Sequence, residues 1–172
     1  MSNLNHVSLS VGKLHYECMR DFYRTVLAPL SYSVFMQKED CFAGFAPKYG
    51  GPDFWLHADG SMEPIFDPAV DKVDDRKGKT HVAFTASSRR QVDSWYENAI
   101  KAGAVDNGKP GEREYVKGYY AAFVLDPLGN NIELVYWNPW WLRLLKVSPV
   151  ILSGLFGAGA MFVTMIYFVS RT

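Results

Sequence analysis

Two cysteines in 172 residues, Cys18 and Cys41, are too few for a disulfide framework, and neither sits in a CxxC pair that could hold zinc. They read as reduced thiols of a cytosolic compartment. Net charge is missing as well. Eighteen basic side chains balance 18 acidic ones, and no run of Lys or Arg forms a stripe able to track a phosphate backbone. A dedicated nucleic-acid binder is excluded on that ground. Gly108, Gly111, Gly118 and Gly129 match neither a dinucleotide fingerprint nor a P-loop. There is no GxSxG elbow, so nucleophilic acyl chemistry has no motif to rest on. The polar opening, Met1 to Asn5, does not read as a secretory leader. Nothing acidic follows Glu133.

That last absence divides the chain. After position 138 the only charges are Arg143, Lys146 and Arg171, so the tail carries +3 and the first 138 residues −3. Between Val147 and Val169 run 23 residues without a charge. As a helix rising ~1.5 Å per residue they would span roughly 34 Å, enough for a hydrocarbon core of about 30 Å. Trp137, Trp140 and Trp141, with Arg143 and Lys146, supply the aromatic and basic flank of a cytosolic membrane surface. The expectation is a transmembrane helix over 147–169, a juxtamembrane flank over 139–146, and a C-terminally anchored membrane protein whose globular domain, 1–138, faces the cytosol.

Within that domain the chain repeats itself. Asn5-His6-Val7-Ser8-Leu9-Ser10-Val11 and Thr80-His81-Val82-Ala83-Phe84-Thr85-Ala86 lie 75 positions apart, alternate with the period of a half-buried strand, and share His at the second place. Each is followed by apolar residues at helical spacing, over about His15–Leu27 and Arg89–Ala102, the second stopped by Gly103. Three strand-like runs follow in each half: Tyr32–Gln37, Cys41–Ala46 and Asp53–Ala58, then Ala104–Asn107, Tyr119–Leu125 and Asn131–Tyr136. The turn signal Asp126-Pro127-Leu128-Gly129-Asn130 joins the last two as a hairpin. The predicted class is α+β: two βαβββ modules, 3–58 and 79–138, joined by a linker over 59–78. Paired, they would form one curved mixed sheet with a concave site.

Alternate residues of a strand share a face. Two histidines at matched positions of a pseudo-twofold repeat would converge near its axis, which sets His6 opposite His81. Glu133 lies in the apolar run Asn131–Tyr136 and, if buried, needs a cation, a donor or a metal. Two histidines and a carboxylate on three strands facing one cavity make a three-ligand metal site with open positions. Phe45, Trp55 and His57 are expected to line the pocket for a small-molecule substrate. Tyr115, Tyr119 and Tyr120 are placed at its mouth, where a phenol can bind or protonate an oxyanion, Tyr119 as a binding residue and Tyr120, with Glu133, as a catalytic one.

NHVSL around His6, THVAF around His81 and the closing VLDPLGNNIELVY together resemble the vicinal oxygen chelate superfamily, which includes glyoxalases, extradiol dioxygenases, fosfomycin-resistance thiol transferases and bleomycin-resistance proteins. The resemblance covers about Asn3 to Asn138. It implies paired βαβββ modules and a divalent metal (Fe²⁺, Mn²⁺, Zn²⁺ or Ni²⁺) held by His6, His81 and Glu133. Lyase, dioxygenase or thiol-transfer chemistry on a substrate with vicinal oxygens follows. In glyoxalase-type members the fourth strand carries a further ligand, usually Glu; here the matching residue is Trp55, with His57 two places on. That departure motivates a second expectation, a metal-free small-molecule binder of the bleomycin-resistance kind. Modules of this type can pair within a chain or between chains, so a homodimer is one of two arrangements the sequence allows.

Overall fold

The computed structural model describes residues 4–60, 66–70, 80–114 and 116–137, and Leu4–Trp137 forms one compact unit. Tyr115, the flank at 139–146 and the apolar run at 147–169 lie outside the described residues. Among the described residues no helix is long and apolar enough to cross a membrane.

Each half follows the order read from the sequence. The first comprises strand β1 (Val7–Gly12), helix α1 (Tyr16–Leu27), and strands β2 (Tyr32–Lys38), β3 (Phe42–Pro47) and β4 (Phe54–Asp59). The second comprises β5 (His81–Thr85), α2 (Arg89–Lys101), β6 (Val105–Glu112), β7 (Tyr119–Leu125) and β8 (Asn131–Trp137). Helix α1 buries Met19, Phe22, Tyr23, Val26 and Leu27, the stripe that its three- and four-residue spacing dictates. Helix α2 starts at Ser88, whose hydroxyl accepts from the Gln91 amide, and stops at Gly103 with φ +95°. Strand β6 runs further than its sequence suggests. Register shifts around Gly108 carry the pairing with β7 on to Glu112.

The two modules have the same topology. In the first the order is β1-β4-β3-β2, with β1 parallel to β4 and the other pairs antiparallel; in the second it is β5-β8-β7-β6 with the same senses. These are two four-stranded sheets, and the single curved sheet expected from the sequence is not formed. The reason lies in which faces meet. Leu9, Val11, Phe54 and Leu56 of the first sheet and Val82, Phe84, Ile132 and Leu134 of the second join α1 and α2 in one hydrophobic core. Phe84 packs edge-on against Tyr32 and Phe54, with ring centroids 5.7 and 5.4 Å apart. Tyr23 on α1 donates to Asp126 in the β7–β8 turn at 2.7 Å, and the Gln91 side-chain Nε2 donates to the Pro29 carbonyl at 3.0 Å. Each sheet thus turns its helix-covered face to its neighbour and leaves the other face uncovered by the described residues.

Candidate functional site

Strand parity decides what the open faces carry. On the second module β8 places Ile132 and Leu134 in the core and Glu133 on the open face, opposite Phe123 of β7 and Ala83 of β5. Glu133 is nonetheless buried, at 3% exposure, because neighbouring side chains close over it. The Tyr119 hydroxyl donates to its Oε1 at 2.7 Å, and His81 Nε2 lies 3.1 Å from its Oε2. His81 Nδ1 meets the Asn131 side-chain amide at 2.8 Å, and that amide meets Asn107 at 3.0 Å. The result is a continuous polar chain, Asn107–Asn131–His81–Glu133–Tyr119, on one face.

The direction of this chain depends on the two carboxamides, whose oxygen and nitrogen ends are interchangeable in shape. With Asn131 donating to Nδ1, the imidazole carries its proton on Nε2 and donates to Glu133, so every group is satisfied without a metal. With both amides turned over, Asn131 accepts from Nδ1–H and a bare Nε2 lone pair faces the carboxylate. That arrangement is satisfied by a second proton on Nε2 or by a metal cation between the two. At metal–ligand distances of about 2.1 Å, donors of one coordination shell stand about 3 Å apart, so the 3.1 Å spacing suits shared ligation.

The open face of the first module holds a different set. His6 precedes β1, exposed, with Nδ1 2.8 Å from the Asn5 side-chain oxygen. With Asn5 in that orientation, Nδ1 donates and the neutral ring leaves Nε2 as an acceptor. Trp55 on β4 lies 6.2 Å from the His6 ring in an edge contact and 5.9 Å from His57 in a stack tilted by 17°. The indole donates to the Pro52 carbonyl at 3.2 Å and lies flat over Gly44 of β3, where a Cβ would come within 2.9 Å of the ring. Phe42 completes the cluster, 5.9 Å from Trp55 and 6.2 Å from His57, and the Ser8 hydroxyl meets His57 Nδ1 at 2.6 Å.

The structure thus brings together His81, Glu133 and Tyr119 on one module, and His6, Trp55 and His57 on the other. It does not bring His6 to the His81–Glu133 pair. Among the described residues no group of three or more His, Cys, Asp or Glu converges as a metal would require. Among the described residues the two modules of one chain meet through their covered faces, so the open faces that carry these side chains do not face each other within the chain. Two further expectations are corrected. Phe45 is fully buried with Tyr23 and Phe54 in the core, because Phe45 and Trp55 lie on opposite faces of their sheet. Tyr120 turns to the helix side, donates to Asp93 of α2 at 2.7 Å and lies under the Arg89 guanidinium. Asp93, by accepting that hydrogen bond, pushes the Tyr120 phenol above its ordinary value, with burial adding to the rise. Tyr119, one residue away, is the phenol that reaches Glu133.

A model of the Glyoxalase/Bleomycin resistance protein/Dioxygenase superfamily matches residues 3–134. The chain belongs to that superfamily. Solved structures agree at the level of the fold. A glyoxalase/bleomycin resistance protein from Albidiferax ferrireducens T118 is 22% identical, with a TM-score of 0.58 over 78% of this chain and 98% of that one. A putative glyoxalase from Bacillus halodurans is 23% identical (TM-score 0.57; 79% and 96% covered), and a lactoylglutathione lyase from Agrobacterium tumefaciens is 18% identical (TM-score 0.55; 79% and 94%). No curated protein matches the chain at a significant level. Members of the superfamily commonly use divalent metals, often act on small molecules and often form dimers.

Proposed function

We propose that the protein is a divalent-metal-dependent enzyme acting on a small substrate with vicinal oxygens, and that two copies build each site. The observation that carries this reading is the pair His81–Glu133: a buried carboxylate, a histidine 3.1 Å from it, and a side-chain amide behind the histidine, all on an uncovered sheet face. His6 has the acceptor nitrogen such a pair lacks, on the open face of the other module. A module-1 face of one copy laid on the module-2 face of another closes with twofold symmetry and forms two equivalent sites.

A cation held by His81, Glu133 and the second copy's His6 would supply Lewis-acid stabilisation of charge on a substrate oxygen. The chain's own residues do the rest. Asn131 orients His81, and the Tyr119 phenol holds Glu133 and is placed to move a proton at its Oε1. Trp55, His57 and Phe42 present a flat aromatic wall that excludes water from the opposite side. Trp55, in the position where glyoxalase-type relatives are expected to carry a fourth ligand, offers no donor to a metal, so a bound cation would keep room for substrate oxygens.

The test is metal content of the full-length chain after reconstitution with Fe²⁺, Mn²⁺, Zn²⁺ or Ni²⁺. We expect near-stoichiometric retention, lost in Glu133→Gln, His81→Ala and His6→Ala. Absence of retained metal in the parent protein favours a second reading, sequestration of a small molecule without turnover. The completely satisfied Asn–His–Glu–Tyr chain is the observation behind that alternative. The uncharged run at 147–169 also supports tethering of this domain to a membrane from its C-terminal side. The full chain should then resist alkaline extraction of membranes while residues 1–138 are released; equal release of both contradicts the tether.

A further inference from the structure

We propose that Arg113 is the anion-reading group of the His81–Glu133 face, and that the molecule bound there carries a carboxylate beside its chelating oxygens. The inference rests on that face being the substrate site, though not on a metal. Arg113 follows β6, and its guanidinium lies across the open face of the second sheet, with its carbon 4.8 Å from the centre of the Phe123 ring. Phe123 is in turn 6.2 Å from the His81 ring, so a single aromatic side chain separates the cation from the histidine. The guanidinium is fixed rather than free. One terminal nitrogen donates to the carbonyls of Lys109 at 2.9 Å and Ala121 at 2.8 Å.

Two features make this arginine more than a strand clamp. Its Nε is buried without a hydrogen-bond partner, and among the described residues no carboxylate pairs with it. Nearby Glu112 pairs with Arg89 instead, and Glu133 is engaged by His81 and Tyr119. A positioned, partly desolvated cation without a counter-ion among the described residues, on the same face as the His81–Glu133 pair, suits an anionic group on the ligand. With one terminal nitrogen spent on the two carbonyls, the other terminal nitrogen is the one left to donate charge-assisted hydrogen bonds to a ligand carboxylate. Small 2-hydroxy and 2-oxo acids combine that carboxylate with an adjacent oxygen, the geometry a chelating site needs.

The probe is mandelate, a 2-hydroxy acid, compared with its neutral isostere mandelamide. Both are titrated into the metal-stripped full-length protein carrying ¹³C-labelled histidine, whose four imidazoles can be resolved. Mandelate is expected to shift the His81 signal and to bind at least about tenfold more tightly than mandelamide. Arg113→Gln should abolish that preference, and Arg113→Lys should keep it at about a third of the wild-type affinity, since the charge remains but on a more flexible stem without the two carbonyl hydrogen bonds. A purely structural arginine would lower the thermal midpoint of both variants while leaving the mandelate-to-mandelamide ratio intact. An unchanged ratio in a folded Arg113→Gln variant overturns the proposal, as does equal binding of the two compounds or no shift at His81. Metal retention in the same preparations reports separately on the proposed function.

Discussion

Asp126 receives four hydrogen bonds where water scarcely reaches: from the Leu128 and Asn130 amides at 2.9 and 2.8 Å, the Asn130 side chain at 2.9 Å and the Tyr23 hydroxyl at 2.7 Å. Burial pushes its carboxyl above the ordinary carboxylate range, although those donors pull the other way. The buried Tyr23 phenol is pushed well above its usual value by the same burial and the adjacent carboxylate. Asp126→Asn keeps one oxygen for the two backbone amides but removes the acceptor of the Asn130 side chain and the Tyr23 hydroxyl, and should cost about 1–3 kcal/mol in stability at pH 7. The sign of its pH dependence follows from the raised value. Between the unfolded and folded pKa the native chain binds the extra proton, so the wild type gains stability from this residue as pH falls. Its advantage over Asp126→Asn in thermal midpoint should therefore widen from pH 7 to 4.5; a constant or narrowing gap contradicts this account of the turn.

At the scale of elements the sequence was most informative where one period dominates. The α1 stripe, the Gly103 stop and the Asp126–Asn130 turn each require a particular residue at a particular place, and each lies within two residues of its expected bounds. Faces were legible where a neighbour of known direction was near. Trp55 and His57 share a face as their separation dictates, and Glu133 is carried on the face opposite Ile132 and Leu134. Adjacent candidates were harder to separate. Tyr119 and Tyr120 have the same chemistry and both sit at a strand start, so only the pairing of Tyr119 with Trp137 and Tyr120 with Tyr136 fixes which hydroxyl reaches Glu133. Phe45 illustrates the same limit, because an apolar residue suits a core and a pocket wall equally. Arg113 carried no sequence signal at all. It follows an irregular stretch of β6, where period-2 counting fails across the register shifts.

For the whole molecule, the repeat correctly predicts two alike modules but is silent on which of their faces meet. The covered faces carry the apolar side chains Phe54, Phe84, Ile132 and Leu134, and their burial together with helix residues such as Trp95 decides the intramolecular arrangement. The two polar-aromatic faces are then displayed outward, one with His6 and Trp55, the other with His81 and Glu133. The central claim is that these faces complete each other between copies. It is tested most directly by mixing. His6→Ala and Glu133→Gln chains are unfolded together, refolded as an equal mixture, and assayed for retained metal. Each variant alone should hold almost none. Half of the random dimers in the mixture pair one variant with the other and contain one intact site of two, so the mixture should recover about a quarter of the wild-type metal per chain. Recovery near zero, from a wild type that holds metal and variants that fold, would place the three ligands within one chain and contradict the shared site.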